Sequence, residues 1–235
     1  MALILNIETS SENCSVSIAE NGIVFGSLQS SETKSHASIL TVLIDELLLK
    51  HSVGFNQLNA IAVSKGPGSY TGLRIGVSVA KGLCYGANKP LIAINTLRSM
   101  VAGLKKDMTD FEDKFPDDAV FCPMLDARRM EVYMATFAKS GEMLKSTSAE
   151  IMDETSFDEV LNKHQVIFFG SGADKCKGII KHPNAVFIEG FQVKADYMAL
   201  LAEESFRKSK FENVAYFEPF YLKDFVATLP KRKVI

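Results

Sequence analysis

The sequence predicts an α/β protein built from two similar halves with a cleft between the lobes. Three observations lead there. An apolar opening run, residues 2–8, is followed by a polar turn and two further runs of strand length. Leu58 to Leu83 then reads as strand, glycine loop and helix in that order. Beyond a charge-dense interruption, a weaker copy of the same series of elements begins at Val120.

The first strand, Ala2-Leu-Ile-Leu-Asn-Ile-Glu8, ends on a carboxylate and runs into the polar turn Thr9-Ser-Ser-Glu-Asn13. Residues 14–19 and 23–29 are two more strands, joined by Glu20-Asn21-Gly22, a strong hairpin signal. An acidic residue at a strand end, followed by hydroxyls in a tight turn, suits a phosphate or a magnesium-bound water, so Glu8, Thr9 and Ser10 are candidate cofactor-binding residues. The same residues also read as a plain turn whose hydroxyls bond backbone.

Residues 35–50 predict a helix that is too apolar for a surface layer. Ile39, Leu40, Leu43, Ile44, Leu47 and Leu48 cover an arc of roughly 180°, extended by Val42 and Leu49, where a stripe of little more than about 100° suffices against a sheet. Thr41, Asp45 and Glu46 leave a narrow wet edge. Either the helix is sandwiched within its own domain or its outer side meets another subunit.

The central stretch opens with the strand Ile61–Val63, which Gly66-Pro67-Gly68 cuts. Ser69 or Thr71 then caps a helix reaching about Tyr85. This order of elements often cradles a phosphate, yet neither named phosphate motif fits. No Gly-Lys-Ser/Thr follows at Walker A spacing, and Thr71 stands where a dinucleotide fingerprint needs glycine. Within the helix, Gly72, Gly76, Val79, Ala80 and Leu83 share one face, and Arg74, Ser78, Lys81 and Tyr85 occupy the opposite one. Glycine inside a helix costs about 1 kcal/mol relative to alanine. A stripe of it calls for another backbone packed very close, in this chain or in a partner.

Pro90–Ile94 is a further strand, and Thr96 caps a short helix to about Leu104. Residues 105–118, dense in charge and containing Pro116, read as a linker or exposed loop and divide a first lobe, 1–104, from a second, 105–235. In the second lobe Val120–Leu125 is a strand ending in Asp126-Ala-Arg-Arg129, and Met130–Phe137 is the next. A helix over 153–163 precedes the strand Val166–Phe169, which runs into Gly170-Ser-Gly172 and a helix from about Ala173. Gly170 and Gly172 are either nucleotide contacts or a tight turn. A strand near 185–188, a helix at 195–209 and the apolar Glu218-Pro-Phe-Tyr-Leu222, expected to dock back on the body, complete the chain.

Composition excludes several classes. A net charge of −2 and 23% charged residues give no nucleic-acid footprint across the chain as a whole, and Lys231-Arg-Lys233 is the only compact basic cluster. The four cysteines, Cys14, Cys84, Cys122 and Cys176, form no C-x-x-C pair, which fits reduced thiols rather than a zinc knuckle or a disulfide scaffold. The N-terminus lacks the basic and long apolar regions of a signal peptide, and no run reaches the roughly 20 apolar residues of a membrane span. A cytoplasmic protein is expected.

Five blocks recur in order along nearly the whole chain: Leu5-Asn-Ile-Glu-Thr-Ser10, Ser35-His36, Gly66-Pro-Gly-Ser-Tyr-Thr-Gly-Leu-Arg-Ile-Gly76, Asp126-Ala-Arg-Arg-Met-Glu-Val-Tyr133 and Glu218-Pro-Phe-Tyr-Leu222. Together they resemble the bacterial TsaB (YeaZ) family, with the glycine and Asp-Ala-Arg blocks the specific parts. The resemblance implies a two-lobed actin/Hsp70/sugar-kinase (ASKHA) fold. It also implies a non-catalytic scaffold or activator of the TsaD-type transferase, which makes N6-threonylcarbamoyladenosine beside the anticodon of tRNAs. A TsaC-type enzyme would supply the adenylate intermediate, the TsaE ATPase would join the assembly, and tRNA would bind through the complex. Such chains pair with TsaD, or with themselves when alone, through helices of the first lobe.

Carried onto this sequence, the pairing helices are those at 35–50 and 70–85. The expected contacts are Leu40, Leu43, Ile44 and Leu47 from the first, with Gly72, Leu73, Gly76, Val77 and Ala80 from the second. Gly76→Leu is then expected to leave the monomer folded and abolish pairing. TsaD-type proteins carry two histidines at i and i+4 on a helix to hold a metal. Among His36, His51, His164 and His182 no two are four apart, so no metal and no catalytic residues are expected. No cofactor is required, though ADP or ATP with magnesium would sit at Glu8, Thr9, Ser10, Gly170 and Gly172. Glu8 stands where such chains often have aspartate. The competing reading is an ATP-dependent kinase or ATPase of the same fold that uses Glu8 or Asp126 as its acid. A metallopeptidase is weakest, because its ligands do not cluster.

Overall fold

The computed structural model describes residues 2–30 and 36–222; Ser35 and the basic Lys231–Lys233 cluster lie outside them. The first sheet holds β1 (Leu3–Glu8), β2 (Cys14–Glu20), β3 (Ile23–Ser30), β4 (Ala60–Gly66) and β5 (Leu91–Asn95) in the order β3-β2-β1-β4-β5. β1 pairs antiparallel with β2 and parallel with β4. The hairpin at Asn21-Gly22 forms as its residues dictate, with both residues at positive φ, 53° and 80°. Helices α1 (His36–Lys50) and α2 (Tyr70–Ala87) cover one sheet face. Their inner sides bury Leu5, Ile7, Val16, Ile18, Ile61 and Val63 in a single core.

The second sheet repeats the plan. It is built from β6 (Val120–Asp126), β7 (Glu131–Ala138), β8 (Met143–Ile151), β9 (Val166–Phe169) and β10 (Ala185–Ile188), in the order β10-β9-β6-β7-β8. As in the first sheet, the leading strand is central, an antiparallel pair lies to one side and two parallel strands to the other. This is the duplicated α/β architecture that the echo at Val120 predicts.

Two helices bind the lobes together by crossing over. α3 (Thr96–Asp107) follows the first sheet in the chain, yet its Leu97, Met100 and Leu104 pack with Phe121, Phe137 and Phe169 of the second. A 3₁₀ turn (Ala195–Met198) and α7 (Ala199–Arg207) come from the second half, yet Met198 and Ala202 pack on Ile4, Ala62 and Ile92 of the first sheet. Ala195 N donates to Ser15 Oγ (3.0 Å), and Asn13 Nδ2 donates to the Val193 carbonyl (3.1 Å), so that return stretch is tied to β2 and to the turn before it.

Several local expectations change. α3 is capped by Asn95, whose side chain accepts from Arg98 N, rather than by Thr96. The stretch 105–118 is anchored: α3 extends to Asp107, a single turn α4 (Phe111–Lys114) follows, and Phe111 and Phe115 are buried in the second core. The predicted helix over 153–163 reduces to one turn, α5 (Asp158–Leu161). β8 carries no apolar alternation and forms as an edge strand because β7 offers it a ladder.

α2 lies over the β1–β2 turn. The Ser69 side chain caps it by accepting from Gly72 N (3.2 Å), and Ser69 N donates to the Ser10 carbonyl (2.7 Å). A Cβ on Gly72 would collide with the Thr9 carbonyl oxygen, one on Gly76 with Thr9 Oγ1, and one on Gly68 with Ser10. The close backbone neighbour that the glycine stripe demands is therefore in this chain. Gly76→Leu cannot leave the monomer intact, because the side chain has no space to enter. Gly76→Ala is expected to destabilise by about 1–3 kcal/mol despite alanine's better helix propensity. Thr9→Ala should recover part of that loss, since it removes the hydroxyl in the way. Gly72→Ala meets backbone and should gain nothing from Thr9→Ala. Urea midpoints for the three single and two double variants check this, and equal rescue at both positions would contradict it.

Candidate functional site

β1 delivers Glu8 to its end with the carboxylate on the sheet face away from α2, because alternate residues of a strand point to opposite sides. Glu8 is fully buried, and its Oε1 accepts from Ser10 N (2.6 Å) and Ser64 Oγ (2.9 Å). Burial pushes the carboxyl above its ordinary value, and the hydrogen bonds from Ser10 and Ser64 oppose that shift without cancelling it. No lysine or arginine pairs with it among the described residues. Thr9 and Ser10 are buried as well, pressed under Gly72, Gly76 and Gly68.

A magnesium nucleotide does not fit these residues. Glu8 Oε2, Thr9 Oγ1 and Ser10 Oγ lack protein partners, but Glu8 and Thr9 lie on opposite sides of the strand, and the start of α2 closes the turn from the Thr9 side. Gly170 and Gly172 are likewise consumed by packing. Gly170 (φ +95°) makes room for the Met124 carbonyl, 2.5 Å from where its Cβ would stand, and Gly172 sits against the Leu125 carbonyl at 2.9 Å. They let the short helix α6 (Ser171–Cys176) sit flush on the end of β6, which is the tight-turn reading of that motif.

The equivalent turn of the second lobe is built differently. Asp126 Oδ1 accepts from Arg128 N (2.7 Å) and pairs with Lys175. Lys175 Nζ also donates to the carbonyls of Arg129 (2.8 Å) and Glu131 (2.6 Å). The acid that a kinase would use is thus held by an internal cation and spent on fixing a hairpin.

The nine residues expected at a partner contact need correction. Leu40, Leu43, Ile44 and Leu47 are at most 6% exposed and pack on the chain's own first sheet. Gly72, Leu73, Gly76, Val77 and Ala80 are buried against the same sheet and the Thr9 turn. What α1 and α2 present outward is a different set: Val42, Leu49 and Tyr85, exposed by 43%, 71% and 84%. Gly82 and Gly86 accompany them, with no atom of the described residues near the place of a Cβ. The signal was present in the helical periodicity, where Tyr85 falls on the face opposite Gly76. The C-terminal stretch runs along α2 as a strap: Lys81 Nζ donates to the carbonyls of Ala215 (3.2 Å) and Phe217 (2.9 Å), and the Tyr70 and Tyr221 rings pack at 4.8 Å.

His36 opens α1 with its ring nitrogen 2.8 Å from the Ser11 carbonyl, a helix-start role. Among the described residues no three His, Cys, Asp or Glu side chains gather as a metal site. All four thiols are buried; burial pushes Cys14 up to about 11 and Cys84 up to about 12, which leaves them protonated and unreactive at neutral pH. No described helix is long and apolar enough to cross a membrane.

The family model for TsaD, tRNA N6-adenosine threonylcarbamoyltransferase, matches residues 26–231. The tRNA threonylcarbamoyladenosine biosynthesis protein TsaB of Escherichia coli K12 is 28% identical over 95% of this chain and 96% of its own. The chain belongs to the TsaB (YeaZ) family. TsaB of Haemophilus influenzae is 31% identical over 70% of this chain and 66% of its own length. A Pseudomonas aeruginosa structure described as similar to peptidase YeaZ superposes with a TM-score of 0.79 at 23% identity, over 95% of this chain and all of that one. The two share a two-lobed α/β fold.

A raised folded-state pKa means the folded chain holds the Glu8 proton more tightly than the unfolded one. Glu8 then favours folding fully below its ordinary 4.5, and that contribution is lost as pH rises through the folded value. Glu8→Gln, a mimic of the neutral acid, is therefore expected to match the parent near pH 4 and to exceed its thermal stability increasingly towards neutrality. Melting curves across that range check the sign. A variant less stable at pH 7 would show that the ionised carboxylate is wanted.

Proposed function

We propose that this chain is the non-catalytic TsaB-type subunit of the tRNA threonylcarbamoyl transfer machinery, and that it activates a TsaD-type transferase by pairing with it through the outer faces of α1 and α2. One observation carries the reading beyond family membership. Gly82 and Gly86 each cost a helix about 1 kcal/mol, and unlike Gly72 and Gly76 they have no close neighbour among the described residues to account for them. Beside them stands Tyr85, 84% exposed, an amphipathic aromatic of the kind that anchors interfaces. A second helix laid across Gly82 and Gly86 could approach closely and bury that ring. In the absence of a transferase, the same face would serve a second copy of this chain.

The chemistry then resides in the partner. A TsaC-type enzyme supplies the adenylate, TsaE joins the assembly, and tRNA is recognised by the complex. The kinase or ATPase reading is disfavoured: Glu8 is sealed in the core and Asp126 is engaged by Lys175, so neither acid is placed to act on a phosphate.

The test mixes the purified chain with the TsaD-type, TsaC-type and TsaE proteins and tRNA, omitting each in turn. Transfer is expected to require this chain, while the chain alone neither hydrolyses ATP nor modifies tRNA. Gly82→Leu should fold normally and lower affinity for the transferase by about ten-fold or more, with a matching loss of transfer. Normal pairing by Gly82→Leu would move the interface elsewhere, and ATP turnover by the isolated chain would restore the kinase reading.

A further inference from the structure

We infer that Arg128 and Arg129, on the hairpin between β6 and β7, form a contact site for the phosphodiester backbone of RNA. The two lobes share one topology, so the turn after the leading strand occurs twice. In the first lobe α2 seals that turn beneath a glycine stripe. In the second lobe the six-residue α6 leaves it open, and Arg128 and Arg129 are both exposed.

Both arginines adopt left-handed backbone conformations, φ 70° and 51°. Glycine and asparagine accept that region readily, whereas a longer side chain does so at a cost. The same chain solves the same problem conventionally at the β2–β3 hairpin, where Asn21 and Gly22 take the positive-φ pair. Arginines at 128 and 129 are therefore not what the turn itself prefers, which turns attention to what their side chains reach. The conformation is held from inside instead. Lys175 pairs with Asp126 and binds the carbonyls of Arg129 and Glu131, while Asp126 Oδ1 accepts from Arg128 N. Lys175 already pairs with Asp126, so that acid does not cancel the arginines. Neither guanidinium has an ion-pair or hydrogen-bond partner among the described residues.

Two adjacent, outward guanidiniums on a clamped turn suit phosphate oxygens, which the planar fork binds in pairs. Such contacts position a nucleic acid without reading its sequence. A local pair is also the form a phosphate contact must take in a chain whose net charge is −2. The choice of RNA over another polyanion rests on the proposed role in tRNA modification.

The test uses the complex of the full chain with the TsaD-type transferase and measures tRNA affinity over a salt series. Arg128→Asn/Arg129→Gly removes both charges and installs the residues the turn prefers, so its melting temperature should equal or exceed the parent's. Its tRNA affinity should fall about ten-fold at low salt, and the slope of log K against log salt should become shallower by about 2. Arg128→Lys/Arg129→Lys should keep most of the affinity and the slope. Unchanged affinity and slope in the Asn-Gly variant, in a complex whose transfer still requires this chain, would overturn this site alone. Loss of transferase pairing with tRNA binding otherwise intact would also overturn it, by making the arginines a protein contact. If transfer does not need the chain at all, the functional reading fails and this inference with it.

Discussion

The structure depends on one close approach: the first two turns of α2 lie directly on the Thr9–Ser10 turn. Gly68, Gly72 and Gly76 are each placed where a side chain would strike that turn, and Ser69 N donates to the Ser10 carbonyl. This contact sets the height and angle of α2 over the first sheet. It also fixes which residues of α2 face inward, and so which remain to face out. Once Leu73, Val77 and Ala80 are committed to the core, Tyr85 and the glycines at 82 and 86 are left on the outer side, together with Arg74 and Ser78.

The same contact separates the two lobes in purpose. In a duplicated fold with a cleft, the turns after the leading strands are the natural places for phosphate groups. Here the first is filled by the chain's own helix, with Glu8 buried behind it. The second keeps its turn exposed, but its acid is tied to Lys175 and its tip carries two strained arginines. At these two turns, then, one carboxylate is buried and the other is paired.

Much of this was legible in the residues. The two-half plan followed from strand–turn–strand patterns at Glu8 and Asp126, and the demand for a close neighbour followed from Gly72 and Gly76. What the sequence could not say was on whose backbone those glycines lie, because periodicity identifies a face and not its occupant. The apolar arc of α1 misled for a related reason. Its sheet and α2 together enclose Leu40, Leu43, Ile44, Leu47 and Leu48, leaving only Val42 and Leu49 outside. β8 escaped notice because Lys145-Ser-Thr-Ser148 has no apolar alternation, and only pairing with β7 makes it a strand. The crossing of α3 and α7 between lobes is a long-range fact, since the core that gathers Met100 and Phe169 joins residues that no local pattern links.

The outer face of α2, proposed above to meet the transferase, is open to a direct labelling test. Because the four native thiols are buried, a thiol introduced by Tyr85→Cys can be followed alone by its rate of reaction with a maleimide. Ile151→Cys, on the edge strand of the other lobe and 76% exposed in the parent, supplies the control. Saturating transferase is expected to slow labelling at 85 at least ten-fold and to leave 151 unchanged. Equal labelling at 85 with and without the transferase, in a complex shown to have formed, would contradict it.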